Sequence, residues 1–213
     1  MKRIITTTLI VCITMLTVKA QSDAVRIACI GNSITYGFGI DSVEVNSYPA
    51  QLQQILGKGY DVRNYGVNSR TLLNKGDHPY QQEKAWRDAL AFQPDIAIIK
   101  LGTNDSKPEN WQYHKDFKHD LKQLLKVLKE KGNKPRIILC TPIPAFKSTW
   151  NINDSVIVNG IIPIIYKVAR KKRLQVIDLH TLYANDGDKM LKDGIHPNKR
   201  GARRLAEIIA GKI

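Results

Sequence analysis

The feature that most constrains the fold is a regular alternation of two hydrophobic patterns along a chain of 213 residues. Short apolar runs typical of buried strands alternate with longer stretches in which apolar residues recur every three or four positions. The strand-type runs are residues 25–30, 61–65, 95–101, 136–141 and 174–178. The helical stretches are residues 48–56, 83–92, 111–131, 157–172 and 199–209. This alternation favours parallel β-α-β units with right-handed crossovers, so it predicts a three-layer α/β/α sandwich around a central parallel five-stranded sheet.

The first twenty residues follow a different pattern. A basic start at residues 1–3 is followed by an apolar stretch at residues 4–18, and Ala20 supplies a small residue for cleavage. This is typical of a secretory signal peptide, so we predict a signal peptide at residues 1–20, one domain at residues 21–213, and export to the periplasm or beyond. A retained membrane anchor or an amphipathic first helix is the alternative. The apolar core is short for an anchor, and no later stretch reads as a span, which predicts no stable membrane insertion.

The charge of the chain is strongly basic. The formal net charge of +14 falls by three, to +11, once Lys2, Arg3 and Lys19 leave with the signal peptide. The remaining basic residues are spread over the helical stretches and show no aromatic interleaving, so the sequence predicts no nucleic-acid partner. A basic surface of this kind attracts acidic glycans or other anionic surfaces.

Two cysteines remain after residue 20, and each lies within a strand-type run. Cys29 and Cys140 are expected to be buried free thiols, with a disulfide as the alternative if their strands are neighbours. The Cys and His spacings do not resemble a zinc site. We therefore predict neither a metal nor a cofactor, and the oligomeric state stays open.

A serine follows the first strand-type run at a break in the pattern. Ser33 stands after Gly31-Asn32, at the carboxyl end of the strand, where open α/β sheets bind their ligands. Its hydroxyl is a candidate nucleophile, and a helix N-cap is the structural alternative. The spacing differs from the G-x-S-x-G elbow, because Thr35 occupies the last position.

A nucleophilic serine requires a base and a group that orients the base. His196 lies three residues after Asp193 in Asp-Gly-Ile-His-Pro, a spacing that can bring the carboxylate to the imidazole Nδ1. Asp178 and His180 form a rival pair after the last strand, but residues two apart on a strand run parallel, which disfavours their contact. We favour Asp193 and His196.

Acyl transfer also requires hydrogen-bond donors for an oxyanion. Gly66 follows the second strand-type run and would let the backbone approach a substrate closely. Asn104 follows the third run and can donate from its side-chain amide. Ordinary turns would explain either loop by itself.

These residues resemble the four ordered blocks of SGNH (GDSL-type) hydrolases. The blocks are residues 31–35 (Gly-Asn-Ser-Ile-Thr), Gly66, residues 102–105 (Gly-Thr-Asn-Asp) and residues 193–197 (Asp-Gly-Ile-His-Pro). The resemblance implies the flavodoxin-like fold of that family, a triad of Ser33, Asp193 and His196, and an oxyanion hole of Ser33, Gly66 and Asn104. Two departures stand out: Asn32 replaces the usual aspartate, and Asn68-Ser69 stands where related sequences often carry another glycine.

The loops after the strands carry the candidate substrate-binding residues Asn68, Arg70 and Trp111. For Trp111, as for Trp150, packing in the hydrophobic interior is the alternative to a platform for a sugar. Residues 66–73 and 100–108 resemble a bacterial subgroup of sialate O-acetylesterases and acetylxylan esterases. This resemblance implies an acetylated carbohydrate as the substrate partner.

Three functions are therefore weighed. The first is a carbohydrate O-acetylesterase, with sialic acid esters favoured over acetylxylan because of the basic charge. The second is a lysophospholipase or thioesterase of the same fold, against which the loops offer no extended apolar lid. The third is a glycan-binding module without catalysis, which would not need Ser33, Asp193 and His196 together.

Overall fold

The structure is a computed structural model that describes residues 24–213. The predicted signal peptide at residues 1–20 lies outside this range. The strands are β1 (Val25–Gly31), β2 (Tyr60–Gly66), β3 (Ile96–Lys100), β4 (Arg136–Cys140) and β5 (Gln175–Ile177). They form one parallel sheet in the order β2-β1-β3-β4-β5.

Helices of widely different length connect the strands. The α-helices are α1 (Ser33–Tyr36), α2 (Val43–Asn46), α3 (Tyr48–Leu56), α4 (Lys84–Ala91), α5 (Pro108–Trp111), α6 (His114–Lys131), α7 (Asp154–Val156), α8 (Ile162–Lys172), α9 (Leu179–Leu182) and α10 (Lys199–Ala210). A π-helical turn at Ile157–Ile161 joins α7 to α8. Short 3-10 turns occur at Gly57–Gly59, Tyr80–Gln82, Asn104–Ser106, Thr149–Asn151 and Gly187–Lys189.

The sheet separates two hydrophobic clusters because successive side chains of a strand point to opposite faces. Ala28 and Ile30 of β1 face the cluster built from α4, α6 and α8, whereas Ile27 and Cys29 face the cluster built from α3 and α10. This arrangement confirms the predicted three-layer sandwich. The apolar runs are continuous rather than alternating because the central strands are covered on both faces.

Two helical stretches differ from what the sequence predicts, one in its continuity and one in its length and hydropathy. The stretch 111–131 is divided, because α5 ends at Trp111 and α6 begins at His114. The run Thr149–Lys172 meets the length and composition of a membrane span, contrary to the expectation that no later stretch does. Its apolar side packs on the sheet through Ile157, Ile161 and Ile165, as in the core helix of a globular domain.

The two cysteines lie on strands that are not neighbours. Cys29 is on β1 and Cys140 on β4, and β3 runs between them. Since neighbouring strands are about 4.8 Å apart, two strand spacings exceed the reach of a disulfide. Both thiols are free and buried, as predicted, and burial raises their pKa values above the ordinary value.

The chain order places a switch point between β1 and β3. The connection from β1 to β2 contains α3 on one face of the sheet, and the connection from β2 to β3 contains α4 on the other face. Open α/β sheets bind ligands in the crevice outside the carboxyl ends of the strands at such a point. The end of β1 is therefore the place to look for a site.

Candidate active site

Ser33 is the first residue of α1, directly beyond the end of β1. The side chain of Asn32 caps this helix by accepting a hydrogen bond from Ile34 N at 3.1 Å. Gly31 makes the sharp turn possible, because a Cβ there would lie 2.1 Å from Thr35 Oγ1 and 2.8 Å from the Lys100 carbonyl oxygen. The amide of Asn32 thus performs the local capping that the aspartate of related sequences could also perform.

His196 lies beside Ser33 and connects it to Asp193. Ser33 Oγ is 2.7 Å from His196 Nε2, and His196 Nδ1 is 2.9 Å from Asp193 Oδ2. The three side chains that the sequence analysis selected therefore form one continuous hydrogen-bonded chain. Its geometry matches a nucleophile, a base and an orienting carboxylate.

The turn at residues 193–197 fixes the carboxylate by local bonds. Asp193 Oδ1 accepts hydrogen bonds from Ile195 N at 2.7 Å and His196 N at 2.9 Å, and Gly194 adopts a φ of 69° that favours glycine. Burial by itself would raise the pKa of Asp193, but these bonds and the imidazole outweigh it and the pKa is lowered. Asp193 is consequently ionised at neutral pH.

The base has a pKa below its ordinary value. Burial is the largest cause of the lowered pKa of His196, hydrogen bonding to Asp193 opposes it, and the positive charge of Lys100 adds to it. A neutral imidazole at pH 7 can accept a proton from Ser33.

The rival pair does not form. Asp178 caps α9 by accepting hydrogen bonds from Thr181 N at 3.2 Å and Thr181 Oγ1 at 2.8 Å. His180 Nε2 instead lies 3.2 Å from Asp154 Oδ1. Both residues have structural partners away from Ser33, so the preference for Asp193 and His196 agrees with the geometry.

A cavity of about 310 Å³ opens at Ser33. Its polar lining comprises Ser33, His196, Asn68, Ser69, Asn104 and Lys107. These residues come from four different loops at the carboxyl edge of the sheet. A larger cavity of about 680 Å³ borders the edge strand β2, but its lining includes neither Ser33 nor His196.

Gly66 is not where the sequence analysis placed it. Its N–H donates to Asn64 Oδ1 at 2.9 Å, and Gly66 lines the larger cavity instead of the one at Ser33. The position requires glycine for another reason: a Cβ would lie 2.1 Å from Tyr36 N. Ser69, three residues later, lines the cavity with a φ of 66° in the left-handed region. The geometry therefore disfavours Gly66 as a donor at Ser33, and Ser69, the position where related sequences often carry glycine, is a residue of this loop that lines the cavity.

Asn104 is brought to the cavity as predicted. It is 5% exposed, and its Nδ2 donates to the Arg70 carbonyl oxygen at 3.0 Å. The amide carries two N–H groups, so one remains for a substrate oxygen. The next residue, Asp105, accepts hydrogen bonds from Leu72 N and Leu73 N, and these bonds hold the loop that contains Ser69.

Of the three predicted substrate-binding residues, one lines the cavity at Ser33 and two do not. Asn68 lines the cavity, and its Oδ1 is buried without a hydrogen-bond partner among residues 24–213. Arg70 does not line it, because its guanidinium is held by Glu83 at 2.7 Å and by the Asn68 carbonyl oxygen at 2.8 Å. Trp111 packs at the edge of the core against Phe117, so the packing alternative holds for Trp111.

Sequence reasoning missed part of the apolar wall of the cavity. Phe38, Trp150 and Ile152 complete the lining, and the Phe38 ring centroid lies 4.6 Å from that of His196. The sequence left both interior packing and a sugar platform open for Trp150, and its side chain is exposed, so the packing alternative does not hold for Trp150. Phe38 stands between Gly37 and Gly39, and this sequence pattern is typical of an ordinary turn, so it did not indicate a site residue.

Lys100 was also missed. It ends β3 and is fully buried, and its Nζ has no hydrogen-bond partner within the described part of the chain. Burial lowers the pKa of this ammonium to about 7. A single Lys at the end of an apolar run carries no sequence signal of burial.

Comparison with known proteins agrees with the fold. The sequence model of the GDSL-like Lipase/Acylhydrolase family matches residues 29–204. An acetylxylan esterase of Xylanibacter ruminicola is 59% identical over 91% of this chain, which spans 44% of that relative's length. Among solved structures, a carbohydrate acetylesterase of Sinorhizobium meliloti (Est24) aligns with a TM-score of 0.70 at 19% identity, covering 88% of this chain and 97% of its own.

A further solved structure, the lipase/acylhydrolase of Enterococcus faecalis, aligns with a TM-score of 0.72 at 22% identity, covering 89% of this chain and 95% of its own. At these identities the solved structures show a shared fold. The family match covers most of the residues that the structure describes, including Ser33 and His196. The chain belongs to the GDSL-like lipase/acylhydrolase family of hydrolases, the GDSL-type group that its sequence resembles.

Proposed function

We propose that this chain is a serine esterase that removes O-acetyl groups from carbohydrates. The observation that carries the proposal is the hydrogen-bonded chain from Ser33 Oγ through His196 to Asp193, with distances of 2.7 and 2.9 Å. A binding module has no need of a neutral imidazole beside a serine hydroxyl. The arrangement suits nucleophilic attack on an ester carbonyl.

In the first half of the reaction, His196 Nε2 takes the proton of Ser33 Oγ as the oxygen bonds to the acetyl carbon. Asp193 keeps the imidazole oriented and stabilises the imidazolium that forms. The tetrahedral intermediate then collapses, the bond to the sugar oxygen breaks, and His196 returns its proton to that oxygen. The products are the free sugar hydroxyl and an acetyl group on Ser33.

Three donors are proposed for the negative oxygen of the intermediate. As the first residue of α1, Ser33 has a backbone N–H that the helix does not use, and the free N–H of Asn104 lies in the same cavity. The N–H of Ser69 is the third, in place of Gly66. Donors that are already in place stabilise charge that develops only in the transition state.

In the second half, water attacks the acetyl group while His196 takes one of its protons. The new intermediate collapses as its bond to Ser33 Oγ breaks, and His196 returns the proton to Ser33 Oγ. The acetic acid that forms leaves as acetate and a proton. The enzyme is restored with one water consumed and one acetate released. Every step uses side chains of this chain and no cofactor.

Acetylated xylan is the substrate we propose first. The support is the 59% identity to a protein named an acetylxylan esterase, although the chain spans less than half of that relative. The small cavity supports an acetyl group rather than a long acyl chain, which disfavours the lysophospholipase alternative. The pattern of residues 1–20 supports export, where such polymers are found.

O-acetyl sialic acid stays the second candidate, because one observation favours an acidic substrate. Lys107 lines the cavity, and its Nζ lies 3.5 Å from Asp77 Oδ2. Together with the formal charge of +14, which falls by three to +11 without residues 1–20, this ammonium would attract a carboxylate on the sugar. The sialate preference predicted from charge rests on these two features.

The direct test of the esterase function is Ser33→Ala. We expect acetate release to fall to the background rate, while the melting temperature stays within a few degrees of the wild type because a small side chain is replaced by another. Covalent labelling of the wild type by a fluorophosphonate, and its loss in the variant, would provide a second readout. Undiminished turnover by purified Ser33→Ala would refute the proposal.

The choice of substrate is tested by acetate release from acetylated xylo-oligosaccharides and from O-acetyl sialic acid at low and high salt. For the sialate, kcat/KM should fall as salt screens the charges, and Lys107→Met should reduce it more than Lys58→Met. Lys58 is an exposed matched control away from the cavity. Faster cleavage of xylan esters without a salt effect would leave acetylxylan as the substrate.

A further inference from the structure

Trp150 is a large aromatic side chain left open to solvent at the rim of the candidate active site. It is 52% exposed, the highest value among the large hydrophobic side chains of residues 24–213, and it lines the cavity at Ser33. Its ring packs edge-on against His196 at 5.3 Å and against Phe38 at 6.0 Å between centroids. The indole thus contacts the imidazole of His196, and about half of the Trp150 side chain stays exposed at the rim of the cavity.

The backbone that presents this ring is strained. Trp150 has φ 54° and ψ 36°, and Asn151 has a φ of 59°, so two successive residues other than glycine adopt left-handed conformations. Such residues are unfavourable for L-amino acids and persist only where surrounding structure holds them. The left-handed backbone and the exposed indole at Trp150 and Asn151 both cost stability, which suggests that this segment is kept for binding.

Hydrogen bonds at both ends hold the segment against the active site. Thr149 Oγ1 donates to the Asp193 carbonyl oxygen at 2.7 Å, and Asn153 N donates to Ser106 Oγ at 3.0 Å. Earlier in the same loop, Phe146 N donates to the Gly194 carbonyl oxygen at 2.9 Å. Trp150 is therefore fixed relative to the turn that carries Asp193 and His196.

The chemistry of the surroundings indicates what the ring would bind. A flat aromatic surface beside polar groups suits a ligand with an apolar face and hydrogen-bonding edges, and a pyranose ring has both. Asn68 and Asn104 line the same cavity and supply carboxamide groups, which form hydrogen bonds of the kind that sugar hydroxyls require. The cavity of about 310 Å³ is small for a ligand site, so it suits one acetylated sugar unit at a time.

We propose that Trp150 is a specificity-determining residue of this site, a platform on which the pyranose ring that carries the ester stacks. Phe38 supports the platform from the side, and the strained backbone keeps the indole beside Ser33. This inference rests on the proposed function and adds the residue that selects a sugar as the alcohol part of the ester. It assigns Trp150 a contact with the sugar, whereas the acetyl group lies at Ser33.

The test compares two esters in the wild type, Trp150→Ala and Trp150→Phe. Acetylated xylo-oligosaccharides have a ring to stack, and ethyl acetate has none. In Trp150→Ala we expect the ratio of the two kcat/KM values, sugar over ethyl acetate, to fall about tenfold or more, mainly through KM for the sugar. Trp150→Phe keeps a smaller ring and should lose less.

Phe146→Ala is the matched control. Phe146 lies in the same loop and is 37% exposed, but it packs on Gly187 and is not part of the cavity lining. Both rates should stay within about twofold of the wild type in this variant, since its backbone bond to Gly194 is kept. Melting temperatures of all variants report any loss of folding.

The outcomes separate this inference from the proposed function. A wild type that releases acetate from the sugar, with an unchanged ratio in Trp150→Ala, would overturn the platform alone. Equal losses on both esters would also overturn it, because they would show that Trp150 merely positions His196. A wild type that releases acetate from no acetylated sugar would overturn the proposed function and the platform together.

Discussion

Two loops at the carboxyl edge of the sheet differ in what holds them. The turn at residues 193–197 is fixed by bonds within itself, since Asp193 Oδ1 accepts the N–H groups of Ile195 and His196. The loop at residues 66–73 is fixed from far along the chain, by Asp105 and by the side chain of Asn104. Hydrogen bonds between residues close in the chain can be inferred from the spacing of those residues, whereas bonds between distant residues cannot. The contacts of the turn could therefore be anticipated from the sequence, whereas the position of Gly66 relative to the cavity at Ser33 could not.

The largest expected effect is a loss of kcat when the carboxylate of the turn at residues 193–197 is replaced. Asp193→Asn should lower kcat about 10⁴-fold with little change in KM, because the carboxylate orients His196 and does not touch the substrate. Steady-state kinetics on an acetyl ester would measure this change. Asp178→Asn is the matched control and should keep kcat within about threefold. A greater loss in Asp178→Asn would restore the rival pair.

The next effect concerns the loop side of the comparison. Asn104→Ala should lower kcat about 10²-fold to 10³-fold, the usual loss for one oxyanion donor. Asn110→Ala is a useful control, since Asn110 Nδ2 donates to the Asn104 carbonyl oxygen at 2.9 Å but does not line the cavity. If both variants lost stability and activity in parallel, Asn104 would be a support of the loop and not a donor.

The pH dependence sharpens the account of the turn. Because the pKa of His196 is lowered and the imidazole must be neutral to take the Ser33 proton, kcat/KM should fall with decreasing pH at a midpoint below 6.5. Lys100→Met removes a positive charge that contributes to this lowering, so the midpoint should move to higher pH. A pH profile of both enzymes on a neutral ester tests the direction. A midpoint that moves to lower pH in the variant would contradict the assigned role of Lys100.

The smallest expected effects are changes in the free energy of unfolding caused by substitutions at Gly66 and Ser69 in the loop at residues 66–73. Gly66→Ala should lower the free energy of unfolding by about 1–3 kcal/mol, because its Cβ would meet the backbone of Thr35 and Tyr36 in α1. Ser69→Gly should change that free energy by less than about 1 kcal/mol, since relief of the left-handed strain opposes the added freedom of the unfolded chain. Denaturant unfolding measures both. Unchanged stability of Gly66→Ala would contradict the close approach of Gly66 to the backbone of α1.

The difference between local and long-range contacts also explains which features could be predicted from the sequence. The five strands and the positions of Ser33 and Asn104 follow from periodicity and from the ends of apolar runs, and the pairing of His196 with Asp193 follows from their three-residue spacing. All of these are local signals. The exposure of Trp150 depends on bonds to residues more than 40 positions away, and the burial of Lys100 depends on its place at the end of a central strand. Such properties arise only when the sheet is assembled.

Strand β1 has a consequence for the motions of the enzyme. It pairs with β2 on one side and with β3 on the other, from Ile27 to Gly31. Its amide protons can exchange with solvent only when the sheet itself opens, so deuterium should enter this strand last and at the rate of global unfolding. The nucleophile Ser33 therefore lies just beyond the part of the chain that should exchange most slowly.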